Sequence, residues 1–157
     1  MRSLQLTILA LIAHGAFINL SSAEVSSVFR FTRKDSDCVL LYREAPVRRF
    51  DCSSNEEPAL KGYFNGKHGE ATSVLIVQEQ PLGNACNGGP IHLIPEIENK
   101  RIGAPKSIDF CGGQDPIFAQ AKEGLVILIP GGPPNRGEGT IPSEVWLYDG
   151  VELVQYK

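Results

Sequence analysis

A chain of 157 residues with 15 Lys+Arg against 18 Asp+Glu, a net charge of −3, has the size of one domain. It carries no basic stripe to neutralise a phosphate backbone, which excludes nucleic acid as a partner, and no basic amphipathic helix of the kind that binds membrane surfaces. The 16 glycines and 11 prolines cut the sequence into short apolar runs without sustained helical periodicity, so the chain reads as all-β.

Residues 1–23 have the pattern of a signal peptide. Arg2 supplies a positive start, Leu4 to Ile12 an apolar segment, and Ser21-Ser22-Ala23 the small residues that suit cleavage before Glu24. His14 and Asn19 interrupt the stretch, and a bilayer span needs about 20 predominantly apolar residues, so stable membrane insertion is not expected. The expectation is an exported protein, periplasmic or secreted, in which residues 24–157 form a single all-β domain.

All four cysteines, Cys38, Cys52, Cys86 and Cys111, fall in that domain. An even number in an exported chain predicts two disulfides, with three connectivities open. Cys38–Cys52 and Cys86–Cys111 are favoured because each pair brackets one predicted hairpin. No C-x-x-C spacing supports a zinc site, and neither a metal nor a cofactor is expected.

Val28, Phe29 and Phe31 begin the first strand, which ends at the polar turn Arg33 to Asp37. Val39–Tyr42 and Val47–Phe50 follow as strands around the reversal Arg43-Glu44-Ala45-Pro46. Ser53 to Glu57 is expected to be exposed, Pro58 to Lys61 to form one helical turn, and Asn65-Gly66 to be a tight turn. The run Ser73 to Gln78 is apolar on both faces and is therefore placed centrally, covered on each side.

Cys86-Asn87-Gly88-Gly89-Pro90 and Cys111-Gly112-Gly113-Gln114-Asp115-Pro116 repeat one idea: a cysteine at a Gly-Gly turn, then a proline opening a new apolar run. Between them lie the strand Ile91 to Ile97 and its return Ser107 to Phe110. Ile117–Ala121 and Leu125–Ile129 flank Lys122-Glu123-Gly124, and Glu144–Tyr148 and Val151–Tyr156 flank Asp149-Gly150, a strong hairpin dipeptide. The sum is about nine or ten short strands in a single compact antiparallel domain, a sandwich or barrel-like meander. A small propeller-like meander is the alternative, suggested by the two Cys-Gly-Gly units.

The stretch Pro130 to Pro142 is long for a connection between neighbouring strands, and such loops are often functional. Asn135, Arg136 and Glu138 are its candidate partner-binding residues, with Arg136 as the anchor because arginine is enriched in binding hot spots. Trp146 and Tyr148 share one face of their strand and form a candidate aromatic surface, although burial in the core is the favoured reading.

No catalytic residues are assigned. Ser73, Ser107 and Ser143 lack a G-x-S-x-G setting, and no H-E-x-x-H pattern occurs. His68 reads as exposed in a glycine loop and His92 as a satisfied histidine in an apolar strand. Glu70, Asp109 and Asp115 are the carboxylates near glycine-rich turns. These features point to an exported, non-enzymatic protein-binding module, an inhibitor or immunity protein against an envelope-acting enzyme or toxin. The alternative is a small polysaccharide-binding or hydrolytic envelope protein using Trp146, Tyr148 and Glu70.

Overall fold

The computed structural model describes residues 28–83, 86–134 and 137–156. The predicted signal segment 1–23 and the loop residues Asn135 and Arg136 lie outside the described residues. The described chain is nearly all-β, its strands arranged as three antiparallel sheets that follow one another in sequence.

The first sheet is β1 (Phe29–Lys34), β2 (Asp37–Tyr42) and β3 (Ala45–Asp51), in that order. Its second reversal is tighter than expected. Arg43 and Glu44 alone make the turn, with φ of +49° and +70°, and β3 begins at Ala45. Two positive φ values give the hairpin a twist that matches its strands. Pro46 is tolerated inside β3 because β3 is an edge strand with a register shift opposite it, at Leu40/Leu41.

The second sheet holds β4 (Asn55–His68), β5 (Ala71–Pro81), β6 (Ile91–Ile97) and β7 (Arg101–Ile102), with β8 (Lys106–Ile108) also paired to β6. A 3-10 turn, Glu98–Lys100, links β6 to β7. Here the structure corrects two expectations. The predicted helical turn Pro58–Lys61 and the predicted turn Asn65-Gly66 belong to one long strand, β4, which begins at Asn55 within the stretch that is largely exposed, as expected. Pairing with β5 satisfies its backbone, and register shifts at Glu56/Ala59, Leu60/Gly62 and Asn65/His68 absorb the residues that do not fit the ladder. Gly66, at φ +143°, sits at the last of these shifts, and the reversal itself comes at Gly69 and Glu70.

The third sheet is a meander of β9 (Ile117–Ala121), β10 (Gly124–Ile129), β11 (Glu144–Tyr148) and β12 (Leu153–Tyr156). The last hairpin turns at Asp149-Gly150 as expected, but through Asp149–Glu152 rather than through the dipeptide alone. The Asp149 carboxylate accepts the N–H groups of Val151 and Glu152, both at 2.8 Å, and delays the strand to Leu153.

Stacking of the three sheets explains why β5 is apolar on both faces. Leu75 and Val77, with Ile94 of β6, pack against Phe29, Leu40, Tyr42 and Phe50 of the first sheet and the Cys38–Cys52 disulfide. Val74 and Ile76, with Ile91 and Leu93, pack against Leu125, Ile127, Ile129 and Tyr148 of the third. Alternation along one strand therefore feeds two cores. Both expected disulfides form, with Cα separations of 5.7 Å for Cys38–Cys52 and 4.6 Å for Cys86–Cys111, inside the range the bond tolerates.

The second and third sheets are also locked turn against turn. Gly150, at φ +99°, lies directly on the His68 carbonyl, where a Cβ would overlap backbone atoms. Gly150→Ala is expected to lower stability by at least about 2 kcal/mol, from backbone strain plus steric overlap. Gly137→Ala also sits at positive φ but has open space around it, and is expected to cost under about 1.5 kcal/mol. Urea unfolding of both variants measures the difference.

Candidate functional site

Three loops meet at one end of the stack. The Cys86–Gly89 turn and the Cys111–Asp115 turn are joined by their disulfide, and the Asn87 side-chain amide donates to the Gly113 carbonyl. The Gln114 N–H reaches across to the Gly131 carbonyl at 3.1 Å, which ties the second turn to the start of the long loop after β10. Gly113 needs to be glycine on two counts: its φ is +82°, and a Cβ would press on the Gly131 backbone.

The long loop is closed at its base. Gly132 and Ile141 exchange both backbone hydrogen bonds, at 3.0 and 2.7 Å, which fixes a neck at the base of the loop. Between this neck and the two cysteine turns lies an open groove of about 520 Å³, lined by Asn87, Gly113, Gln114, Asp115, Pro133 and Pro134. It offers amide donors and acceptors, one carboxylate and two proline rings. These groups can offer a ligand hydrogen bonds, one negative charge and apolar contact.

The residues singled out in sequence fall in different places. Glu138 is exposed in the long loop. Trp146 and Tyr148 do share a face, but Tyr148 is only 1% exposed, packs in the second core and donates its hydroxyl to the Gly150 carbonyl at 3.0 Å. Burial pushes its pKa up to about 12. It is a core residue, as the favoured reading had it, and this removes it from the candidate aromatic surface. Trp146 is half-buried against the same core, its indole N–H donated to Glu144 at 2.8 Å. Glu70, Asp109 and Asp115 are all exposed.

His68 corrects another expectation. It ends β4 rather than sitting in an exposed loop, is 5% exposed, and its Nε2 has no hydrogen-bond partner. Burial lowers its pKa below the ordinary imidazole value. Among the described residues no group of three or more His, Cys, Asp or Glu side chains gathers in a way that could hold a metal ion.

Two polar clusters escaped the sequence reading, and both lie on the face of the central sheet that meets the first sheet. In one, Glu96 of β6 accepts hydrogen bonds from the Tyr42 hydroxyl at 2.6 Å, the Ser73 hydroxyl at 3.0 Å and the Tyr63 hydroxyl at 3.1 Å. Burial raises the pKa of both tyrosines, and the neighbouring Glu96 carboxylate adds to the effect. In the other, His92 Nε2 is 2.7 Å from Glu79 Oε1 and His92 Nδ1 is 2.7 Å from Ser107 Oγ. His92 is thus satisfied at both nitrogens. Burial lowers its pKa, opposed in part by Glu79 and reinforced by Arg48.

One signal was available in the sequence: His92, Ile94 and Glu96 occur at every second position of β6 and so share a face. The identities of their partners depend on register, since His92 pairs with Ser107 and Glu96 with Ser73. No family model, curated protein or solved structure matches this chain.

The two buried histidines set the pH dependence of stability. Their folded pKa values are depressed, so the unfolded chain binds more protons as pH falls through the ordinary imidazole value of about 6.5. Stability is present in full above that value and is lost below it. The urea midpoint is expected to drop between about pH 7.5 and about pH 5.5, and His68→Gln to shrink the drop.

Proposed function

We propose that this chain is an exported protein-binding module, an inhibitor or immunity protein for an envelope-acting enzyme or toxin, and that it engages its partner with the three-loop end. The observation that carries this reading is the convergence of the two Cys-Gly-Gly turns and the long loop, tied by Cys86–Cys111, Gln114–Gly131 and the Gly132–Ile141 bridge. A loop held before the partner arrives pays little ordering entropy on binding, and preorganisation of this kind is what turns a small contact area into useful affinity. The groove chemistry suits a protein chain: amides for its backbone, Asp115 for a cation, and Pro133 and Pro134 as stiff apolar contacts.

Export is supported by the two disulfides and the signal-like segment 1–23. Among the described residues no helix is long and apolar enough to cross a membrane. The alternative surface for stacking on polysaccharide is reduced to Trp146, because Tyr148 is buried.

Affinity capture with the oxidised chain from residue 24 onward, followed by activity assay of whatever binds stoichiometrically, tests the reading. The expected result is an enzyme or toxin that loses activity in the complex. Pro134→Arg and Asn87→Arg are expected to weaken that complex at least about 10-fold, and Arg136→Ala by roughly 1 kcal/mol if it is the anchor. Unchanged affinity in all three variants would move the binding site away from this end of the molecule.

A further inference from the structure

Glu79, His92 and Ser107 lie in a line across three strands of the central sheet, β5, β6 and β8. The order of their chemistry is carboxylate, imidazole, hydroxyl, with both links at 2.7 Å. The three differ sharply in exposure. His92 is 3% exposed and the Glu79 side chain 21%, whereas Ser107 is exposed on the short strand β8. Phe50 covers the imidazole from the first sheet, ring centroids 5.4 Å apart, and the Arg48 guanidinium lies over Phe50. A hydrogen-bonded chain that served only to satisfy a buried histidine would not need to end on a serine of an exposed strand position.

We propose that Ser107 is a nucleophile for acyl esters, activated by His92 and positioned through Glu79. The tautomer follows from the partners: the Glu79 carboxylate can only accept, so His92 carries its proton on Nε2 and leaves the Nδ1 lone pair to the Ser107 hydroxyl. Burial favours the neutral ring, the form a general base requires.

In the first half-reaction Ser107 Oγ forms a bond to the acyl carbon while its proton passes to His92 Nδ1. The tetrahedral adduct collapses by breaking the bond to the leaving oxygen, which takes the proton from His92 and departs as an alcohol. Water then attacks the acyl-serine, giving one proton to His92 Nδ1. The carbon–Oγ bond breaks, Ser107 recovers the proton, and a carboxylic acid leaves. Glu79 stays ionised throughout, holding the ring and stabilising the transient imidazolium. Because Ser107 is exposed on a sheet surface, the fitting substrate class is a small acyl ester, such as an O-acetyl group, presented on a larger molecule.

A fluorophosphonate probe, which reacts with activated serines, tests this on the oxidised chain from residue 24 onward, alongside hydrolysis of p-nitrophenyl acetate. Wild type is expected to gain the phosphonyl mass on the peptide containing Ser107 and to release p-nitrophenol. Ser107→Ala, at an exposed position, should fold normally and lose at least about 100-fold in both readouts. Glu79→Gln is expected to slow labelling about 10-fold or more with an unchanged melting temperature, which a purely structural role would not produce. Wild type inert to both reagents, or labelling that persists in Ser107→Ala, would overturn the proposal. The outcome is separable from partner binding, since Ser107→Ala leaves the groove residues intact and Pro134→Arg leaves the relay intact.

Discussion

Everything in this molecule hangs on the burial of β5 from both sides. Leu75 and Val77 are covered by the first sheet, and Val74 and Ile76 by the third. At roughly 1.5–3 kcal/mol for each fully buried aliphatic side chain, these neighbouring residues alone represent a large share of the net stability a single domain retains. The outer sheets depend on β5 more than on one another, because each contributes one apolar face and leaves the other to solvent. Three sheets in a stack need a middle sheet without a polar face, and Ala71 to Gln78 provides its central strand.

That arrangement also dictates where polar groups can go. Both faces of β5 and β6 are largely covered, so the polar groups on these strands are paired with hydrogen-bonding side chains beside them. Glu96 meets Tyr42, Tyr63 and Ser73 in one cluster, and His92 meets Glu79 and Ser107 in another. Each histidine nitrogen and each Glu96 oxygen in these clusters has a partner, as buried polar groups generally do. His68 and Gln78 are exceptions, buried with atoms left unpartnered. Gln78 lies directly beneath Gly88, under the first cysteine turn.

The loop end draws its rigidity from covalent and backbone constraints rather than from a core. Cys86–Cys111, the Asn87–Gly113 bond and the Gly132–Ile141 bridge tie three surface segments together where there is little apolar area to bury. Gly131 lets backbone approach backbone at a distance a Cβ would forbid, and Gly113 at one a Cβ would crowd. The strands below can therefore tolerate a long proline-rich excursion without losing the pairing of Ile129 with Glu144.

Local chemistry in the sequence determined a great deal. Alternation and turn residues identified most strands, the bracketing of hairpins identified both disulfide pairs, and the two-sided apolar run Ser73–Gln78 identified the central strand, because each signal acts within a few residues of chain. Reading failed where long-range pairing overrode local preference. Pro58–Lys61 and Asn65-Gly66 resemble breakers, yet pairing with β5 draws them into one bulged strand, and His68 at its end is consequently buried. Only the tertiary structure decided the number of layers, the closure of the long loop and the meeting of Glu79, His92 and Ser107. Those depend on strand register and sheet stacking, which bring together residues whose local sequence carries no trace of one another.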